Sequence, residues 1–177
     1  SQFRSKLVHV IQLLTITSTQ TSNSSDASEE DLTMRHELCI QVLRTLTALL
    51  SDNEKSKEHM RDIDGYDLLG DLLLSVVKNH IAAVSLTTTT STTSTNAYIS
   101  PDIYTELFNM LVDGHFDMHN RSTIANSGIV RPMFQLCQYC NDSFISSFLS
   151  QFKQVTEKSV HNRNVCCSVH LITILLD

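Results

Sequence analysis

"YDLLGDLLLSVVKNH", residues 66–80, is apolar around most of its circumference when wound as a helix. Leu68, Leu69, Leu72, Leu73, Val76 and Val77 leave only a narrow polar strip, so the spacing predicts a helix buried between neighbours. Two further stretches fall into register with it. With Tyr66, Val130 and Leu171 set as equivalent, Leu69, Met133 and Ile174 stand at +3 and Leu72 and Leu136 at +6. Leu73 and Cys137 stand at +7. Each apolar helix is preceded by a shorter helix and a small-residue bend, in "DIDG", "NSGI" and "CSVH". Val130 and Leu171 are about 40 residues apart, the period of armadillo and HEAT repeats. Tyr66 and Val130 are further apart because a Thr/Ser tract lies between them. One such unit cannot bury its own apolar face, whereas stacked units share a continuous core. The expected fold is all-α, an armadillo/HEAT-like α-solenoid of stacked short helices with Ser/Thr-rich loop insertions.

The same pattern extends outward. Phe3, Leu7, Val10, Ile11 and Leu14 predict a helix over 3–14, and Leu38, Val42, Leu46 and Leu49, with Cys39, Leu43 and Leu50 beside them, predict another over 31–51. Asn53 caps a short helix through Met60, and Gly65 breaks the pattern. Ser100 and Pro101 start a helix that buries Ile103, Leu107, Met110 and Leu111 and that Gly114 ends. Residues 115–128 read as a connector with one helical turn, followed by helices over 129–140, 142–155 and from 162 onward. The middle one carries Phe144, Ile145, Phe148, Leu149 and Phe152 on one stripe. "SDNEKSKEHMRD", 51–62, mixes charges at helical spacing and reads as a solvated face. Residues 17–30 and 86–99 have no apolar periodicity and are expected to be flexible insertions. The whole chain, 1–177, then forms a single helical segment, and its abrupt apolar end suggests a piece of a much larger protein.

Composition narrows the function. Four Gly and two Pro argue against the many tight turns of an all-β fold. The net charge of -6, from 19 acidic and 13 basic residues without a cationic stripe, argues against nucleic acid and against direct electrostatic binding to an anionic membrane. Five cysteines in no disulfide framework, and no signal peptide, fit a reducing, cytoplasmic setting. No apolar run approaches the length of a membrane span, and the sequons at Asn23, Asn120 and Asn141 read as chance.

"LFNMLVDGHFDMHNRSTIANSGIVRPMFQL", 107–136, and "NRNVCCSVHLITILLD", 162–177, resemble the armadillo-like region of BEACH-domain proteins of the Alfy/large-volume-sphere type. "KEHMRDIDGYDLLGDLLLS" is similar to that family's earlier repeat, while His170 stands where the family usually has Gly. The resemblance implies a non-catalytic scaffold in a very large cytosolic protein, associated indirectly or peripherally with vesicle or vacuole membranes. Membrane trafficking and selective autophagy are the processes it implies. Partners would be proteins bound through the helical surface and adjoining domains of the same chain. The alternative is an unrelated armadillo/HEAT module of the GTPase-binding or chaperone-cofactor type.

Reactive chemistry has few candidates. Cys137 and Cys140 have the spacing of half a zinc site, with His115 and His119 as conceivable further ligands, but both also fall on core positions of the repeat. Cys166 and Cys167 point in different directions on a helix; His161 and His170 lie nearby without a third orienting group. The reading is therefore packing, with no enzyme activity, cofactor or metal. In armadillo-type stacks the long third helix lines the concave face. Its outward polar residues here, Asp67, Asp71, Lys78, Arg131 and Gln135, are the expected partner surface.

Overall fold

A computed structural model describes residues 29–87, 99–117, 119 and 122–169, and every described element is helical. The helices are α1 (Glu29–Leu50), α2 (Glu54–Asp62), α3 (Gly65–Thr87), α4 (Pro101–Val112), α5 (Val130–Cys137), α6 (Asp142–Glu157) and α7 (Val160–Ser168), with a 3-10 turn at Ser127–Ile129. The helix expected over 3–14, most of both insertions, and the third-repeat anchors Leu171 and Ile174 lie outside the described residues.

Local chemistry starts the helices where the sequence indicated. Asn53 accepts from the Ser56 N–H at 3.1 Å, Ser100 from Ile103, and Asn141 from Phe144 at 2.8 Å, each satisfying an orphan donor of the first turn. Several boundaries differ from expectation. Glu29 and Glu30 are already helical, α3 continues to Thr87, and Ile99 is fully buried, so both insertions are shorter than their composition suggested. α5 stops at Cys137, leaving Cys140 in the turn beyond it. α7 begins at Val160, two residues before the expected start, so "NRNVCC" lies within the helix and the turn follows at Val169.

The bends also differ. Gly65 is the first residue of α3, and no glycine has a positive φ among the described residues. Asp52, Asp64 and Asp113 occupy the left-handed region instead, at φ 52°, 51° and 62°. Asp tolerates that region better than most L-residues because its short polar side chain bonds locally. At 113 the choice has a further effect described below.

The stack is built by like helices packing on like. α1 lies against α4, and α3 against α5, so the two stretches placed in register are neighbours in space. Tyr66, Leu69 and Leu73 of α3 and Val130, Met133 and Leu136 of α5 are all buried, while Leu72 and Cys137 are partly covered. Leu43, Leu50, Leu107 and Leu111 are fully enclosed; each contributes about 1.5–3 kcal/mol of hydrophobic stabilisation. The third layer joins through aromatic rings. Phe148 of α6 sits 5.1 Å from Tyr104, 5.7 Å from Phe108 and 5.2 Å from Phe134. The buried stripe of α6 is thus Phe148, Phe152 and Val155 with Phe144 at its edge; Leu149 faces solvent, contrary to expectation.

Between α4 and α5 the short helix seen in the other layers is replaced by an irregular connector, which two buried asparagines hold. Asn126 donates to the Met110 carbonyl at 2.6 Å and accepts from the Tyr66 hydroxyl at 3.0 Å, tying the second layer to the first. Asn162 of α7 accepts from the Ile124 N–H at 2.9 Å and donates to the Ser122 and Val155 carbonyls at 2.8 Å each. Gly128 is required by packing: a Cβ there would lie 2.3 Å from the Tyr66 ring, which its hydrogen bond to Asn126 keeps in place.

Candidate interaction surface

α3 and α5 run side by side with polar residues on their solvent faces. Gly70 makes their close approach possible, since a Cβ there would stand 3.1 Å from Pro132 and 3.4 Å from Gln135 Oε1. The Gln135 side chain therefore reaches over the glycine toward α3. One turn before Gly70, Asp67 Oδ1 lies 3.7 Å from an Arg131 guanidinium nitrogen, and both side chains remain more than half exposed, at 52% and 56%. An exposed pair at this distance adds at most about 1 kcal/mol to stability.

Asp71 and Lys78 lie one and three turns beyond Asp67 on the same helical face, both exposed. Neither has an ion pair among the described residues. The structure thus brings Asp67, Arg131 and Gln135 together across two layers and sets Asp71 and Lys78 in line with them without contact.

The stronger electrostatics lie inside the fold. Lys57 Nζ is 2.6 Å from Asp113 Oδ2, with side-chain exposures of 7% and 12%, and the Asp52 N–H also points to that oxygen at 3.3 Å. Arg44 Nε meets the buried Glu106 at 2.7 Å, joining α1 to α4. Lys57 was expected on a solvated face; it is buried because Ser56, Lys57 and Met60 form the inward side of α2. Two of those three residues are polar, so no apolar stripe in the sequence marks that side.

The sulfur chemistry is packing chemistry. The Tyr104 hydroxyl donates to the Met133 carbonyl at 2.9 Å and lies 3.5 Å from Cys137 Sγ and 3.8 Å from Cys140 Sγ. Burial pushes the Cys140 thiol up to about 11 and raises Cys137 too, against the opposing pull of the Tyr104 hydrogen bond. Cys39 is pushed up to about 12 by burial alone. Cys166 is buried and likewise raised, while Cys167 is exposed. Because the thiolate is the reacting species, maleimide at pH 7.5 is expected to label Cys167 first. Cys140 should lag behind an ordinary thiol by roughly a hundredfold, as two pK units imply. Mass spectrometry of the quenched time course checks this, and equal rates would contradict the burial argument. Among the described residues no group of three or more His, Cys, Asp or Glu is arranged to hold a metal ion. No described helix is long and apolar enough to cross a membrane.

Comparison with known proteins follows the same lines. Residues 7–177 match the family described as the neurobeachin alpha solenoid region. BEACH domain-containing protein B of Arabidopsis thaliana is 28% identical over 172 residues, which are 96% of this chain and 6% of that protein. A putative neurobeachin homolog of Caenorhabditis elegans is 37% identical over 71 residues, 40% of this chain and 3% of that protein. Its counterpart in Caenorhabditis briggsae is 35% identical over 71 residues, with the same shares. The chain thus spans a small fraction of the length of these relatives. No solved structure matches it.

Proposed function

The chain belongs to the neurobeachin alpha-solenoid family, and we propose from that premise that it is a non-catalytic scaffold segment through which a BEACH-type protein holds protein partners during vesicle or vacuole trafficking or autophagy. It acts as one helical piece of a longer cytoplasmic polypeptide, reaching membranes only peripherally and through other contacts. A GTPase-binding or chaperone-cofactor role has no observation in its favour.

The observation that carries the reading is the α3–α5 face. Buried charges are matched at short distance, as where Lys57 meets Asp113 and the half-exposed Arg44 covers Glu106. On this face, by contrast, Asp71 and Lys78 have no counter-charge among the described residues, and the Asp67–Arg131 pair is long and exposed. Charges left unmatched on a rigid surface favour complementary partners and deter others.

The test is made in the full-length protein in its own cells. Asp71→Arg with Arg131→Glu is expected to leave abundance unchanged and to remove a defined subset of proximity-labelled neighbours. Enlarged or mis-sorted vesicles should follow. An unchanged neighbour set at normal abundance would discard this face as the partner surface.

A further inference from the structure

We infer that Cys137 and Cys140 form a dithiol site that exchanges with a low-molecular-weight disulfide of the glutathione type, closing reversibly to a Cys137–Cys140 disulfide. The backbone sets the two residues at the ends of one turn. The Cys140 N–H donates to the Cys137 carbonyl at 3.0 Å, and Gln138 between them has φ -60° and ψ -15°, near the first central residue of a type I turn. Such a turn brings its end Cα atoms within about 7 Å, and a disulfide spans about 4.4–6.8 Å between Cα atoms. Both sulfurs also touch one atom. The Tyr104 hydroxyl oxygen is 3.5 Å from Cys137 Sγ and 3.8 Å from Cys140 Sγ, so the two side chains leave the turn on the same side, as closure requires.

The other cysteines lack this arrangement. Cys39 is enclosed on α1, and Cys166 and Cys167 are adjacent on α7, one buried and one exposed. Cys137 and Cys140 are both partly exposed, which gives a small reagent access from the turn.

The exchange runs in two steps. The thiolate of one cysteine attacks a sulfur of glutathione disulfide, releasing one glutathione and leaving a mixed disulfide. The other cysteine gives up its proton, attacks the protein-bound sulfur and releases the second glutathione, which takes up a proton. Two cysteine thiols are oxidised, and one glutathione disulfide is reduced to two thiols. Burial raises both cysteines, so the first step is slow, while the turn favours the second.

In the open form the Cys140 S–H donates to the Tyr104 oxygen, whose own proton goes to the Met133 carbonyl at 2.9 Å. A disulfide has no S–H, so this contact holds only the reduced state. Tyr104 also packs on Phe144 and Phe148 of α6 at 4.8 and 5.1 Å, and Asn141, directly after Cys140, caps α6. Closure therefore acts on the joint at which the third layer leaves the second.

The purified protein is equilibrated at pH 7.5 with mixtures of reduced and oxidised glutathione, quenched with acid and digested for mass spectrometry. Glutathione on the exposed Cys167 marks the oxidant as active, and acetyl-Cys-Gln-Tyr-Cys-amide is the reference. The protein should form the Cys137–Cys140 disulfide with an equilibrium constant at least about tenfold above the peptide's, because its turn is already made. Tyr104→Phe should raise that constant further, and Cys140→Ser should leave Cys137 with no more than a mixed disulfide. Amide exchange at 141–145 should slow on oxidation while α1 is unaffected. A constant at or below the peptide's, pairing of either residue with another cysteine instead, or a disulfide that forms only in urea overturns the inference.

Discussion

Lys57→Met is expected to destabilise the chain by about 3–5 kcal/mol, because it strips the one close cation found among the described residues from a carboxylate that the fold encloses. Asp113 is 12% exposed, and its Oδ1 has no hydrogen-bond partner, so the ammonium at 2.6 Å on Oδ2 is its main compensation. Met fills much the same volume as Lys, so the loss reports charge and not a cavity. Glu54, 3.9 Å from Lys57, is well exposed and is left to water at little cost. Adding Asp113→Asn should recover most of the loss. Asn tolerates the left-handed backbone at φ 62° and still accepts from the Asp52 N–H. Urea denaturation of the single and double variants measures both effects. A single variant within about 1 kcal/mol of the parent would mean that water reaches Asp113 freely.

Asn162→Ala is expected to cost about 3 kcal/mol through three groups left unpaired at once. The side chain is fully buried; its loss strands the Ile124 N–H and removes donors from the Ser122 and Val155 carbonyls. The consequence is spatially specific. Ile124 and Asn126 are close in the connector, and Asn126 holds Tyr66 and Met110. Releasing the connector should therefore raise amide exchange at 122–126 and then at the α3–α5 contact, before α1 is affected. Asn162→Asp keeps the acceptor for Ile124 but buries a charge without a cation, so it should not rescue. Exchange that rises uniformly along the chain would show that Asn162 contributes only to global stability.

Helix positions and repeat register were legible in the sequence, because both follow from side-chain periodicity, a local property of the chain. Asn53 and Ser100 marked helix starts for the same reason: a cap acts within three residues. The five surface residues were legible as an outward stripe, and the structure adds that Asp67 and Arg131 meet and that Gly70 sets the spacing under Gln135. The turns misled. Gly65 and Gly114 were read as the breaks between helices, yet the left-handed residues at those breaks are their neighbours Asp64 and Asp113. At 113 a glycine would satisfy the turn equally well but would carry no carboxylate to Lys57.

By itself, then, the sequence determined an all-helical stack of repeats, the order of its helices and most of the apolar rows that face inward, since all of these depend on neighbours a few residues apart. The partners of its polar residues were decided only by tertiary structure. Lys57 with Asp113, Asn126 with Tyr66, and Asn162 with Ile124 are pairs far apart in the chain. Nothing in the composition around Lys57 distinguishes it from the exposed Lys55 two positions earlier. What separates them is which side of α2 meets the next layer, and that is set only when the layers close over it.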